Sequence, residues 1–386
     1  MNPLPFVLAQ WRQSRATLLA MAILIAVACA IGLGVTSIER AVREASSRAA
    51  ARFDLIIGAA GSDTQLVLST VYLQPAALKL MPDEILKKLQ ADPGVQRATP
   101  VATGDSVAGF AIVGTDAEFA SHQGQYTLQS GRWFLAHDEA VVGSATSLQL
   151  NQSVTPLHGS ANDNAIEQQP HDGHRIRIVG RMLPTGTPWD RAILVPFEGV
   201  LELHSQGHAA GIPAIVVQPR SVMDAYRLRS LYRHGATTAT FPAETLNALY
   251  RTLGDVRELV FWIASSGQFL VLAAVLLGLY ATLSARAQEL MALRAMGAGR
   301  TFIWLTLWLQ AIAMLLIGAL LGILVCWFGV QTVAAGLSRE LGLAITPRLN
   351  WSDLRPMGML LVAAALSTAA VAWRAYLRPL SPALRE

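Results

Sequence analysis

The sequence predicts an α+β membrane protein with four transmembrane helices and one large extracytoplasmic α+β domain between the first and second helix. Of the 386 residues, 53% are hydrophobic and only 15% are charged. The apolar residues concentrate in four runs, and each run approaches or exceeds the roughly 20 residues that a membrane-spanning helix needs. The first run is separated from the other three by residues 39–258, which have the mixed composition of a folded domain.

Arginines next to the apolar runs indicate how the chain is oriented in the membrane. Those concerned are Arg12, Arg15, Arg286, Arg294, Arg300, Arg374, Arg378 and Arg385. By the positive-inside rule, both termini and residues 284–300 face the cytoplasm, and residues 39–258 lie outside it. Membrane topology therefore explains the net charge of +4, and no nucleic-acid partner is expected because the basic residues form no block.

This pattern divides the chain into nine segments. They are a cytoplasmic N-terminus (1–17), transmembrane helix 1 (18–38), an extracytoplasmic domain with stalk helices (39–258), transmembrane helix 2 (259–283), a cytoplasmic segment (284–300), transmembrane helix 3 (301–330), an outside loop (331–353), transmembrane helix 4 (354–373) and a cytoplasmic tail (374–386). A cleaved signal peptide is the alternative for the first run, because small residues occur at 28–30. The apolar run continues past that point and favours a retained anchor.

Helix and strand patterns alternate within residues 39–258. Helices are predicted at 39–52, 82–91, 223–232 and 242–252, and strands at 53–58, 107–114, 126–128, 140–142, 175–181, 192–195 and 214–217. Residues 151–174 are polar and aperiodic, which is typical of a flexible loop. In the third apolar run, Gly318 and Gly322 form a face of small residues that predicts close contact with another helix.

The cytoplasmic segment contains ELMALRAMGA at residues 289–298, which resembles the E-I-x-x-L-R-A-x-G-A pattern of FtsX/MacB-like ABC transporter permeases of the mechanotransmission type (type VII). Residues 131–150 resemble blocks of the MacB-like periplasmic core domain, except that Asn151-Gln152 stands where the family usually has a Val-Gly turn. Residues 372–386 resemble the family's C-terminal block. The resemblance implies a periplasmic MacB-like domain at 39–258, an FtsX-like permease domain at 259–380, and a multi-pass protein of the bacterial inner membrane.

In that family the cytoplasmic segment contacts the ATPase. The resemblance implies that the coupling residues here are Glu289, Leu290, Leu293, Arg294 and Gly297. The chain has no GxxxxGK motif followed by Ser or Thr, so ATP is expected to bind and be hydrolysed on a separate cytoplasmic ABC ATPase. The chain itself is expected to be no enzyme, with no catalytic residue and no cofactor bound directly. An ordinary basic connecting loop is the alternative interpretation of the segment.

The resemblance implies a permease subunit, acting as a homodimer, that couples ATP hydrolysis to movement of its periplasmic domain. Its role would be export or extraction of envelope or periplasmic cargo, metal-related or lipoprotein-related, with a periplasmic or lipoprotein partner. The alternative is a signalling scaffold that activates a periplasmic hydrolase. A lone membrane-anchored adhesion domain is a third interpretation, which the coupling segment disfavours.

Two features of the outside domain leave alternatives open. A zinc site could be formed by His158, His171, His174, His204 and His208, although solvated loop histidines are the interpretation that their irregular spacing favours. The run PTGTPWD at residues 184–190 predicts either a rigid turn with a packed Trp189 or a recognition site. It also resembles one branch of these permeases whose members accompany metal-binding periplasmic proteins.

Overall fold

The structure is a computed structural model of the whole chain. It describes residues 11–12, 15–158, 169–170, 174–204, 211–252 and 297–377, together with single positions between 254 and 277. The chain divides into two units. The sheet unit comprises Val42–Gly254 and Gly336–Ile345, and the helical unit comprises Met1–Ala41, Asp255–Ala335 and Thr346–Glu386.

A twelve-stranded mixed sheet forms the centre of the sheet unit. Its strands are β1 (Leu55–Ala59), β2 (Val95–Val107), β3 (Phe110–Thr115), β4 (Leu128–Gly131), β5 (Glu139–Val142), β6 (Ser153–Val154), β7 (Leu157–His158), β8 (Gln169–Pro170), β9 (Ile176–Met182), β10 (Ala192–Pro196), β11 (Ala214–Pro219) and β12 (Thr237–Thr240). The main path runs β12-β1-β11-β2-β3-β10-β5-β9-β4. The pairs β3–β10 and β5–β9 are parallel, and the other pairs along this path are antiparallel.

The long strand β2 joins the two halves of this sheet. Its first half pairs with β11 and its second half with β3, and the register shifts between Thr103 and Ser106. The prediction of one strand over 107–114 was wrong, because Ala108 and Gly109 adopt φ of 49° and 84°. Two consecutive left-handed residues make a tight hairpin turn, so β2 ends before this pair and β3 begins after it.

Both faces of the sheet are buried. Leu55 and Ile57 point into one hydrophobic cluster, while Ile56 between them points into the other. The covering helices are α2 (Asp63–Tyr72), α3 (Asp83–Ala91), α4 (Ala117–Ala120), α5 (Phe197–His204), α6 (Val222–Tyr232) and α7 (Pro242–Thr252), which follow α1 (Arg15–Ala50) in the chain. Burial on both faces explains why these strands read as continuous apolar runs rather than alternating patterns.

Most elements predicted for residues 39–258 are present within one to three residues of their expected ends, including the helices α3, α6 and α7. Two were missed. The helix α2 is capped by Ser62, whose side chain accepts from the backbone N–H of Gln65, and β12 is a strand of threonine and alanine. The predicted flexible loop at 151–174 was wrong for β6, β7 and β8, because these two-residue strands pair with neighbouring strands.

The helical unit contains the first part of α1, the helix α8 (Arg300–Leu341) up to Ala335, and the helix α9 (Trp351–Leu377). Among the described residues, the helices Leu18–Ala50 and Thr301–Leu341 are long and apolar enough to cross a membrane. Residues 331–341, predicted as part of a loop, continue α8. Most of the second predicted span lies outside the described residues, and the boundaries of the nine segments stay predictions.

Small residues allow α8 to lie directly against α1. A Cβ added to Gly318 would lie 2.6 Å from Ile25 Cβ, and one added to Gly322 would lie 2.7 Å from Cys29 Cβ. The predicted helix contact at these glycines is therefore confirmed. On another side of α8, the indole N–H groups of Trp304 and Trp308 donate to backbone carbonyls of α9 at 3.3 and 3.1 Å.

Candidate functional site

Four of the five predicted coupling residues, Glu289, Leu290, Leu293 and Arg294, lie outside the described residues. Gly297 is described, with φ of +93° and open space where a side chain would start. L residues rarely adopt this conformation. A glycine at 297 therefore allows the backbone to turn just before α8 begins at Arg300. The role of all five residues in coupling stays a prediction.

Three of the five predicted zinc ligands lie in the part of the chain that the structure describes. His158 ends β7 and pairs with Asp105 of β2, His174 precedes β9, and His204 is the last residue of α5. His171 and His208 lie outside the described residues. Among the described residues, no group of three or more His, Cys, Asp and Glu side chains could hold a metal ion.

The run at residues 184–190 folds around the carboxylate of Asp190. This carboxylate is buried and accepts hydrogen bonds from the backbone N–H groups of Thr185 at 2.8 Å and Gly186 at 2.7 Å, and from the Thr185 hydroxyl at 2.8 Å. A short 3₁₀ helix (Pro188–Arg191) closes the loop. With its oxygens committed to the loop's own N–H groups, Asp190 fixes the loop rather than presenting a charge to a ligand.

The neighbouring Trp189 lies in the core, with 1% of its surface exposed. Its ring packs against Phe119 of α4 and against Phe53, three residues after the end of α1, at centroid distances of 5.8 and 6.1 Å. The burial of Trp189 and Asp190 supports the rigid-turn interpretation of this run. No described contact supports a link between the run and a metal.

A single cation completes this aromatic cluster. The guanidinium carbon of Arg52 lies 4.2 Å from the ring centroid of Trp189, 4.4 Å from Phe119 and 5.2 Å from Phe53, with Tyr126 at 5.6 Å. Within the described residues, its Nη2 donates to the Phe119 carbonyl at 3.0 Å, while Nε and Nη1 are buried without an acceptor. Burial lowers the pKa of Arg52 to about 10, so the group stays charged at neutral pH and the ring faces stabilise it.

This cation–aromatic cluster joins three separate parts of the sheet unit: the end of α1, the helix α4 and the loop at 184–191. It contains groups that hold segments together rather than groups that react. Sequence reasoning singled out Trp189 but missed Arg52, Phe119 and Tyr126. No spacing pattern connects these residues, because the cluster exists only after the sheet brings distant segments together.

The buried carboxylate of Glu139 fixes a second loop, residues 131–136, which lies in the stretch that resembles the MacB-like domain. Glu139 in β5 accepts from Arg132 at 2.7 Å, from Arg177 at 3.0 Å and from the backbone N–H of Leu135 at 3.0 Å. These bonds, led by that from Arg132, lower the pKa of Glu139 to about 2. Glu139 therefore holds residues 131–136 against the edge of the sheet.

Comparisons with known proteins cover both units. The model of the MacB-like periplasmic core domain matches residues 14–230, and that of the FtsX-like permease C-terminal domain matches residues 262–380. No curated protein matches the chain.

Two solved structures are similar to part of the chain. The periplasmic region of MacB from Actinobacillus actinomycetemcomitans is 12% identical, with a TM-score of 0.35, over 53% of this chain and 95% of that one. The extracellular domain of the noncanonic ABC-type transporter YknZ from Gram-positive bacteria is 14% identical, with a TM-score of 0.30, over 48% of this chain and 98% of that one. At these scores the two likenesses carry no further weight.

Proposed function

The chain belongs to the FtsX/MacB-like ABC transporter permeases, and we propose that it couples ATP hydrolysis on a separate cytoplasmic ATPase to movement of its periplasmic domain. It is an inner-membrane protein with an α+β periplasmic domain. In our proposal four helices cross the membrane and two copies of the chain assemble with two ATPases. The cargo would be taken from the periplasm or envelope, with the help of a periplasmic or lipoprotein partner.

One observation carries this proposal. The FtsX-like match over residues 262–380 includes the run ELMALRAMGA at 289–298, and in our proposal this run faces the cytoplasm and contacts the ATPase. The chain also has no P-loop motif of its own, so the energy for movement has to come from a partner. A connecting loop without a partner would leave Leu290 and Leu293 exposed to water, which is unfavourable.

The helix α1 supports a transmission mechanism. It is a single helix from Arg15 to Ala50, with the part up to Ala41 in the helical unit and the part from Val42 in the sheet unit. Two residues after its end, Arg52 lies in the aromatic cluster that holds Trp189. A displacement of the membrane part of α1 would therefore be passed to the sheet through a stiff element and a packed junction.

The test is to purify the tagged chain from membranes, alone and co-expressed with the ABC ATPase of its own operon or genome, and to measure ATP hydrolysis. We expect hydrolysis only in the complex, and its loss when the P-loop lysine of the ATPase is replaced by alanine. Steady hydrolysis by the chain alone, with contaminating ATPases excluded, would contradict the proposal.

The proposed topology has its own test. Periplasmic and cytoplasmic reporters fused near Gly159 and near Gly297 should report opposite compartments, with Gly297 inside. The same compartment for both positions would rule out the proposed arrangement of spans.

A zinc site at His158, His171, His174, His204 and His208 remains a secondary proposal, supported only by residue type. Calorimetric titration of the full chain with Zn²⁺ should show heat that disappears when His158 and His174 are both replaced by alanine. Absence of heat at micromolar protein would identify these residues as solvated histidines.

A further inference from the structure

We infer that residues 339–345, which end α8 and follow it, bind the loop at 185–191 as a clip, and that this clip provides a second route for coupled movement besides α1. The inference rests on the proposed function, because movement in the membrane helices must have a source. It assigns positioning roles to Gly186, Arg191, Gly342 and Ala344.

Backbone groups make the main contacts of the clip. The N–H of Ala344 donates to the carbonyl of Gly186 at 3.0 Å. Arg191 donates to the carbonyls of Glu340, at 3.2 Å, and of Arg339. These carbonyls belong to the last turn of α8, which has no intrahelical N–H for them, so a side chain of the loop caps the helix.

Two glycines allow the backbones to approach this closely. Gly186 has φ of +73°, and an added Cβ would lie 2.9 Å from Ala344 Cβ. Gly342 has φ of +66°, and an added Cβ would lie 3.2 Å from Pro188 Cα. A side chain at either position would combine an unfavourable backbone conformation with a contact that is too close at Gly186 and tight at Gly342.

The bound segment is partly buried. Leu343 and Ile345 are buried, and the backbone N–H of Ile345 donates to the Ser338 hydroxyl at 3.2 Å. Burial of two large apolar side chains favours a defined position of the segment over a loose tether.

The same segment also contacts α1. Arg48, in the last turn of α1, donates to the carbonyl of Ala344 at 3.0 Å. Ala344 therefore bonds to α1 through its carbonyl and to the loop through its N–H. The loop itself is fixed by Asp190 and Trp189, so a displacement of α8 along its axis would pass directly to the sheet rather than be absorbed by the loop.

The chain offers a matched pair of variants to test this. Gly186→Val introduces a branched side chain at φ of +73° facing Ala344, whereas Gly235→Val introduces the same strain at φ of +85° with no atom within 4 Å. If Gly186→Val fails to fold, Arg191→Met removes the helix cap without adding strain. All variants are made in the full chain, purified in detergent with the co-expressed ATPase.

The first measurement is hydrogen exchange of the peptide covering residues 339–345. Loss of the clip's hydrogen bonds should speed exchange there on the order of tenfold in Gly186→Val or Arg191→Met, and Gly235→Val should match the wild type. Unchanged exchange in both clip variants would mean that residues 339–345 are not held by the loop, and would overturn the inference.

The second measurement compares exchange in residues 185–196 with and without ATP, using a hydrolysis-deficient ATPase. The wild type and Gly235→Val should show a nucleotide-dependent change that the clip variants lose. If the clip variants keep it, the clip is no coupling route and the inference is overturned. If the wild type itself shows no nucleotide-dependent change, the clip as a coupling route is overturned, and the ATP hydrolysis of the complex, which does not depend on the clip, decides whether the proposed function holds.

Discussion

The sheet unit and the helical unit differ in the kind of packing that stabilises each of them internally. In the sheet unit, large side chains fill a core on both faces of the sheet, such as Trp189 and Leu194 on one face and Leu55 on the other. In the helical unit, the contact between α1 and α8 is made where side chains are smallest, at Gly318 and Gly322. Water drives large apolar groups together, whereas in lipid such groups gain little by leaving the hydrocarbon, and close backbone packing matters more.

The difference predicts opposite sensitivities. The sheet unit should be damaged most by substitutions that remove volume, and the helical unit by substitutions that add it. Polar anchors such as Glu139 and Asp190 should have smaller effects on stability, because they fix individual loops rather than the core.

The largest effect is expected for Trp189→Ala. Removing this ring leaves a cavity beside Phe53 and Phe119 and exposes the Arg52 cation, so the free energy of unfolding should fall by about 3–5 kcal/mol. Thermal unfolding of the full chain in detergent measures this. The control is Leu135→Ala, because Leu135 is 84% exposed. Equal stabilities for the two variants would show that the cluster is dispensable.

Volume added to the helical unit should have the next largest effect. Gly322→Leu would collide with Cys29 and with the carbonyl of Ala26, lowering the free energy of unfolding by roughly 1–3 kcal/mol. The matched control is Gly329→Leu in the same helix, where no atom lies within 4 Å. If the control loses as much stability as Gly322→Leu, the contact with α1 does not explain the loss, since leucine is a better helix former than glycine.

A smaller, pH-dependent effect is expected for Glu139→Gln. The pKa of Glu139 is lowered from 4.5 to about 2, so its ionised form stabilises the folded state above pH 4.5 and this contribution disappears as the pH falls towards 2. The variant should be less stable than the wild type by roughly 1–2 kcal/mol at pH 7, with the difference shrinking below pH 4.5. Glu118→Gln, at an exposed pair with Arg97, is the control. A difference that does not vary with pH would contradict this account of Glu139.

Sequence patterns predicted the two long apolar helices and most strands because these depend on local composition. Apolar length indicated α1 and α8, and the two glycines in α8 predicted a helix contact that the structure confirms. Sequence patterns failed to predict secondary structure where strand pairing determines it, as at the hairpin turn Ala108-Gly109 and the strands β6 to β8. They also failed for the cluster around Arg52 and for the clip at Ala344, since both join residues far apart in the chain.

The central claim is that residues 284–300 bind a cytoplasmic ATPase, and two variants in that segment test it most directly. Burial of a leucine stabilises a contact by roughly 1.5–3 kcal/mol, whereas a charge pair at the rim of an interface contributes about 0–1 kcal/mol. Co-purification of the ATPase with the tagged chain should therefore be lost in Leu293→Asp and kept in Glu289→Gln, at equal levels of both chains in the membrane. Wild-type recovery of the ATPase with Leu293→Asp would mean that the segment is an ordinary connecting loop.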